Sequence, residues 1–242
     1  EAPLSVGRGT RSAAFQTREA GETPFVEKLM DDIPLIQRLS AHGRKTAVIR
    51  GPEKRTYADL LSEALKMREL LLAAGVGQSE VAALVSDYSF EAIAVFIALI
   101  LNKNIIVPIA GSVPAETEEK LRESFADKKI ILGAQGLSLK VEPAGTGAEK
   151  HAFIKKIQDG WSSGLVLFTS GSTGKPKAMI HNLDELMKNF ENKKPRDYVI
   201  LMFLLFDHIG GLNTLFNCLF MGAAMVLPEN RDPAYVCGLV EK

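Results

Sequence analysis

The 242-residue chain has no excess of charge of either sign, because 29 Lys and Arg residues balance 29 Asp and Glu residues. A broad electrostatic nucleic-acid binder is therefore disfavoured, since such proteins usually carry a net basic surface. With 46% hydrophobic and 24% charged residues, the composition is that of a globular protein and excludes a largely disordered chain. We predict no nucleic-acid partner.

Cysteine and histidine are also scarce. The two cysteines, Cys218 and Cys237, are too few for a disulfide scaffold and lack the spacing of a zinc site. The four histidines form no HxxH or HExxH pair. These features predict a reducing, cytoplasmic setting and no metal site built from protein ligands.

Long apolar runs are missing as well. The longest, Ala92 to Leu101, has 10 residues, whereas a membrane-spanning helix needs about 18 or more. The N-terminus, EAPLSVGRGTRSAAF, has no apolar segment of a secretory signal. We expect no membrane span, a flexible lead-in over residues 1–24, and an ordered domain over 25–242.

Apolar runs and helical patterns alternate along the rest of the chain. The segment from Thr56 has apolar residues at helical spacing, a capping box formed by Thr56 and Asp59, and a stop at Gly75. Further helices are predicted at 91–101, 114–126, 184–190, 211–221 and 233–242. Strands are predicted at 81–85, 105–109, 129–132, 164–168, 198–203 and 223–228, with 133–160 as connections around an edge strand at LSLKVE. This order predicts an α/β fold with a largely parallel sheet covered by helices.

The most informative segment is a loop from Thr169 to Lys177, which follows an apolar strand. Its glycines, Gly171 and Gly174, allow backbone N–H groups to approach a ligand closely. Four hydroxyl residues add hydrogen-bond donors, and lysine adds positive charge. Those hydroxyl residues are Thr169, Ser170, Ser172 and Thr173. The pattern predicts a polyphosphate site at the carboxyl end of a strand, where open parallel sheets place ligands.

Charge and spacing narrow this interpretation. Residues 160–183 contain no Asp or Glu, although an even distribution would place about three there. The loop does not match GxxxxGK[ST], because Pro176 follows Lys175, and it is not GxGxxG. A P-loop kinase and a Rossmann dehydrogenase are therefore disfavoured. Composition alone leaves a solvated Ser/Gly/Lys linker as an equal alternative.

The string FTSGSTGKPK resembles the signature loop of the adenylate-forming superfamily, which includes acyl-CoA synthetases and the adenylation domains of peptide synthetases. Residues 55–84, 92–108 and 204–227 resemble further segments of the family in the expected order. The resemblance covers about residues 44–240. It implies the N-terminal part of the acyl-adenylate-forming ligase fold.

The resemblance also implies a two-step reaction. A carboxylic acid would react with ATP, assisted by Mg²⁺, to give an acyl-adenylate and pyrophosphate. A thiol acceptor, coenzyme A or a carrier-protein phosphopantetheine, would then displace AMP. The apolar runs 202–206 and 212–220 permit an apolar acid, as in fatty acid metabolism, although such runs are more often plain core.

Specific residues match the motifs of the family. Those matching the loop that holds the β- and γ-phosphates are Thr169, Ser170, Gly171, Ser172, Thr173, Gly174, Lys175 and Lys177. His208 matches a histidine of the carboxylate pocket, and Phe206 with Gly210 and Gly211 would shape the same wall. Without the resemblance, a core or helix N-terminal role is favoured for His208.

The sequence also departs from the family pattern. Ala178 replaces the usual glycine after the Pro-Lys pair, and the later family strings, TGD and aromatic-Gly-x-Thr-Glu, occur nowhere in the chain. We therefore expect an N-terminal fragment that does not complete adenylation alone, with the missing C-terminal domain as its partner. A noncatalytic nucleotide-binding or interaction module is the alternative.

Overall fold

The computed structural model describes residues 33–111, 113–133, 139–145, 147–170 and 176–241. The predicted lead-in, 1–24, lies outside these ranges. So do five residues of the predicted phosphate loop, 171–175.

Helices and strands alternate along most of the described chain. The helices are α1 (Pro34–His42), α2 (Tyr57–Ala73), α3 (Phe90–Leu101), α4 (Pro114–Glu123), α5 (Ala152–Asp159), α6 (Leu183–Glu191), α7 (Ile209–Met221) and α8 (Pro233–Val240). The strands are β1 (Thr46–Arg50), β2 (Glu53–Thr56), β3 (Val81–Val85), β4 (Ile105–Ile109), β5 (Lys128–Leu132), β6 (Leu139–Pro143), β7 (Gly164–Ser170), β8 (Pro176–Asn182), β9 (Val199–Leu201) and β10 (Ala224–Val226).

The described strands form two sheets, and both are largely parallel. The six-stranded sheet has the order β6-β5-β3-β4-β7-β8, in which only the edge strands β6 and β8 pair antiparallel. The four-stranded sheet has the order β2-β1-β10-β9, with β2 as its antiparallel edge. The predicted α/β class with helix-covered parallel sheets is confirmed.

Helix α3 forms the centre of the core. All of its residues from Ala92 to Leu101 are buried, as expected for a helix that is apolar on every side. Ser89 caps its first turn by accepting a hydrogen bond from the Ala92 N–H. Helix α2 packs alongside and begins with the predicted capping box of Thr56 and Asp59.

Buried polar contacts attach the end of α7 to the first two helices. The Tyr57 hydroxyl lies 2.8 Å from the Cys218 carbonyl oxygen and 2.7 Å from that of Ala223. Gly222 ends α7 in the left-handed conformation, with φ of 73°. A Cβ atom there would lie 2.6 Å from Nδ1 of His42. Both the left-handed backbone and this close contact therefore require glycine at position 222.

His42 makes the stability of this junction dependent on pH. Its Nε2 lies 3.1 Å from the Leu219 carbonyl oxygen, and burial is the main cause that lowers its pKa below the usual 6.5. The unfolded chain therefore takes up the proton first on acidification, and the folded state loses stability as the pH falls below 6.5 through the folded pKa. We expect the loss to approach at most about 1.4 kcal/mol per pH unit.

Urea unfolding between pH 7.5 and 5.5 measures this effect. A His42→Gln variant should lose less stability than the wild type over the same interval, because it removes the titrating group. Identical slopes for the two proteins would exclude His42 as the source.

The structure corrects several boundaries predicted from the sequence. Four residues at the two ends of the predicted loop from 169 to 177 belong to strands instead, because β7 extends to Ser170 and β8 begins at Pro176. The predicted strand 198–203 shortens to Val199–Leu201, and the connections at 133–160 contain helix α5 as well as β6. Helix α1 and the β1–β2 hairpin were not predicted.

Candidate functional site

The described part of the predicted phosphate loop lies where β7 ends and β8 begins, on either side of residues 171–175. Thr169 lies directly opposite Lys177, and Ser170 opposite Pro176. The side chains of Thr169 and Lys177 are exposed, and directly opposed residues of an antiparallel pair project to the same face. The hairpin thus places a hydroxyl and an ammonium group side by side next to residues 171–175.

Strand β7 leaves its parallel neighbour before reaching this end. It pairs with β4 only at Gly164 and Leu165, opposite Ile105 and Ile106. A Cβ atom at Gly164 would lie 2.8 Å from Cγ1 of Ile105, so glycine permits the close approach of the two strands. Beyond that point the described residues of β7 pair with β8 alone.

A cavity of about 260 Å³ lies in this region. Its lining residues are Lys120, Phe168, Leu204, Leu205, Asp207 and His208. Phe168 directly precedes Thr169 in β7, and successive side chains of a strand project to opposite faces, so the cavity and the Thr169–Lys177 pair lie on the two faces of the same strand end. The Lys120 ammonium lies 3.5 Å from Oδ2 of Asp207 and 5.8 Å from the centre of the Phe168 ring.

The segment between β9 and α7 forms the opposite wall, and two carboxylates hold it in place. Asp207 accepts a hydrogen bond from the backbone N–H of Ala110, just after β4, at 3.1 Å. Asp87, just after β3, accepts from the Phe206 N–H at 3.4 Å. Arg231 forms an ion pair with Asp87 at 2.6 Å and donates to the Phe203 carbonyl oxygen at 2.8 Å. The wall is thus anchored next to the ends of two neighbouring strands, β3 and β4, of the six-stranded sheet.

His208 is the N-cap of α7 and is exposed at the cavity. Its Nδ1 accepts a hydrogen bond from the Gly210 N–H at 3.0 Å. In a neutral imidazole with this contact, Nε2 carries the proton and is the nitrogen that can donate to a ligand. The helix N-terminal role predicted as the alternative is therefore present, and it coexists with a place in the cavity lining.

The structure brings together several of the residues singled out in the sequence. Phe206 packs its ring on Tyr88, with centroids 4.5 Å apart, and supports the wall from the buried side. Gly211 lies where a Cβ atom would stand 2.2 Å from the Leu205 carbonyl oxygen. The close approach of this backbone to α7 thus explains one glycine of the predicted pair.

Four further residues of the site were missed in the sequence analysis: Asp87, Lys120, Asp207 and Arg231. Lys120 belongs to the predicted helix 114–126, whose sequence is rich in Glu, Lys and Arg, yet its side chain is only 9% exposed. Its contact with Asp207 spans 87 positions of the chain, so no local pattern indicated it. The apolar run 212–220 is mainly core, whereas in 202–206 only Met202 and Phe206 are buried and Phe203 and Leu204 are exposed.

None of the described helices is long and apolar enough to cross a membrane. In the same part of the chain, no group of three or more His, Cys, Asp or Glu side chains is arranged to hold a metal ion.

Comparison with known proteins identifies the family. Residues 35–242 match the family model described as "AMP-binding enzyme". Bacitracin synthase 1 of Bacillus licheniformis is 26% identical over 77% of this chain, which spans 4% of that protein.

Solved structures share the fold. The Klebsiella oxytoca NpsA N-terminal subdomain in complex with 3-hydroxyanthranilyl-AMSN aligns with a TM-score of 0.70 and 18% identity, over 86% of this chain and 56% of that one. The o-succinylbenzoate CoA synthetase of Bacillus subtilis, in complex with the acyl-adenylate OSB-AMP, aligns with a TM-score of 0.65 and 19% identity, over 86% and 58%. The chain belongs to the AMP-binding enzyme family of adenylate-forming ligases and has the fold of their N-terminal subdomain.

Proposed function

We propose that this chain forms the phosphate-binding hairpin and part of the acid pocket of an ATP-dependent carboxylate ligase. One observation supports this assignment above all. Thr169 of β7 lies opposite Lys177 of β8, and its chain neighbour Phe168 lines the cavity with His208. ATP phosphates and a carboxylic acid would therefore bind next to each other, as adenylation requires.

In the first step, a carboxylate oxygen attacks the α-phosphorus of ATP. The bond from that phosphorus to the oxygen bridging to the β-phosphate breaks, and pyrophosphate leaves. Hydroxyl, backbone and ammonium donors of residues 169–175 and Lys177 would stabilise the departing charge. Mg²⁺ supplies charge neutralisation when bound with the phosphates.

His208 is proposed to orient the acid. With Nδ1 occupied by the Gly210 N–H, an Nε2–H group would donate to a carboxylate oxygen at the cavity. The Phe168 ring and the Leu204 and Leu205 side chains supply apolar contacts around the acyl group.

In the second step, a thiol sulfur attacks the acyl carbon, the thiol loses its proton, and AMP leaves. The acceptor is coenzyme A or a carrier-protein phosphopantetheine. A CoA synthetase is among the similar solved structures. We propose a C-terminal domain of the same enzyme as the partner in this step; the chain spans 4% of the length of bacitracin synthase 1, which it matches.

Pyrophosphate exchange tests the proposal. The whole protein that contains this chain should exchange labelled pyrophosphate into ATP only when Mg²⁺ and a suitable carboxylic acid are both present. Calorimetry with Mg-ATP should show binding by the same protein. Nucleotide binding without exchange across a broad acid panel would instead favour the noncatalytic module.

A further inference from the structure

Lys120 gives the cavity a cation of its own. The residue lies on α4, and its ammonium reaches two carboxylates, Glu116 Oε1 at 2.9 Å and Asp207 Oδ2 at 3.5 Å. Its side chain is 9% exposed, so the charge is largely withdrawn from solvent. A buried ammonium of this kind is retained only where carboxylates and hydrogen bonds compensate it.

The two carboxylates differ in how they affect the cavity. Glu116 is 46% exposed, and water therefore screens much of its charge. Asp207 is 16% exposed and lines the cavity together with Lys120. Its Oδ2 also accepts the Ala110 N–H. Lys120 and Asp207 thus form an internal charge pair at the wall that faces a bound acid.

This pair has unequal consequences for different acids. An ammonium group next to the substrate carboxylate would meet the like charge of Lys120 and compete with it for Asp207. A hydroxyl group can donate to the Asp207 carboxylate and accept from the Lys120 ammonium at once. Both groups line the same cavity of about 260 Å³, so a small acid bound there would lie near both.

We propose that Lys120 is a specificity-determining residue, which makes the pocket select a carboxylic acid with a neutral polar group, such as a hydroxy acid, over the same acid with an ammonium group. The inference rests on the proposed function, because it concerns the acid of that reaction. It adds the class of acid and the residue that sets it.

Matched pairs of acids test the selectivity. The whole protein is assayed by pyrophosphate exchange with 2-hydroxy-4-methylpentanoate against leucine and with 3-phenyllactate against phenylalanine. Binding of the corresponding acyl-sulfamoyladenosine analogues is measured by calorimetry. We expect the hydroxy member to be preferred at least about tenfold, since like charges at an interface are strongly disfavoured.

Substitutions then assign the preference to Lys120. Lys120→Met should shift the ratio at least about tenfold towards the ammonium member, because Asp207 is left without its cation. Lys120→Arg should keep the wild-type preference. Lys129→Met is the matched control. Lys129 lies on β5 and forms an ion pair at 3.0 Å with Glu118 of α4, the helix that carries Lys120, but it does not line the cavity.

Each outcome decides one question. A loss of activity that is equal for both members of a pair, with an unchanged ratio in Lys120→Met, would make Lys120 merely structural and overturn the inference. If Lys120→Met does not fold, Asp207→Asn is used, and the hydroxy preference should persist. A wild-type preference for the ammonium member overturns the inference alone. Absence of both exchange and analogue binding overturns the proposed function and the inference together.

Discussion

A Thr173→Ala, Lys175→Ala double variant is expected to lose pyrophosphate exchange by at least about 100-fold. Removing one preorganised donor to a developing negative charge commonly costs a factor of about 10² to 10³. The double variant removes a hydroxyl and an ammonium group from the sequence segment that follows β7, in a part of the chain, residues 160–183, that contains no Asp or Glu. The measurement is the initial rate of exchange at saturating carboxylic acid and Mg²⁺.

A control for charge alone is available in Lys194→Ala. Lys194 is exposed after α6, and its loss changes the net charge by the same amount. We expect this variant to retain the wild-type rate. A double variant that also retains that rate would show that residues 169–175 do not hold the phosphates.

The second large effect is expected for Gly211→Ala. The added Cβ would stand 2.2 Å from the Leu205 carbonyl oxygen, and real Cβ contacts need about 3 Å or more. Backbone must therefore move, and the nearest backbone is the cavity wall that carries Asp207 and His208. Overpacking of this kind costs about 1 to 3 kcal/mol, and a shift of about 1 Å at an active site can cost 10²-fold in rate.

Denaturant unfolding and pyrophosphate exchange are measured together on Gly211→Ala. Its counterpart is Gly238→Ala, also in a helix, where a Cβ would meet nothing within 4 Å. There the substitution should raise stability by about 0.5 to 1 kcal/mol, because alanine is the better helix former. If both substitutions stabilise the protein, the close approach at Gly211 is not a real constraint.

The sequence predicted best those elements that depend on local signals. The capping box at Thr56, the apolar run of α3 and the strands 81–85 and 105–109 all appear where they were expected. In each case periodicity or a short-range hydrogen bond is the dominant cause. The same holds for the fold class, which follows from the order of these elements.

Elements stabilised by distant partners were harder to predict. The segment 176–182 has the glycine, hydroxyl and lysine neighbours of a loop, yet it is a strand because it pairs along β7. Pairing with β7 provides hydrogen-bond partners for the backbone N–H and C=O groups of this segment. The amino-acid composition of the segment does not indicate that pairing. Helix α5 was not predicted either. Among the described residues of this helix, Ile154 is the only one that is buried, so its sequence lacks a long apolar face that would indicate a helix.

The site was partly predictable in the same sense. A contiguous motif indicated the phosphate residues, and a resemblance indicated His208. The ion pairs of Lys120 with Asp207 and of Asp87 with Arg231 join residues 87 and 144 positions apart. Such pairs arise when the fold is complete, so charge patterning along the chain could not reveal them.

The different burial of the two cysteines allows the opening of α7 to be measured by thiol labelling. Cys218 is buried behind the Tyr57 contact, and burial raises the pKa of its thiol to about 12, whereas Cys237 is exposed on α8. A thiol reagent therefore modifies Cys237 in the folded protein and reaches Cys218 only when α7 separates from its neighbours. The ratio of the two labelling rates reports how readily α7 separates from its neighbours, with Cys237 as the internal reference.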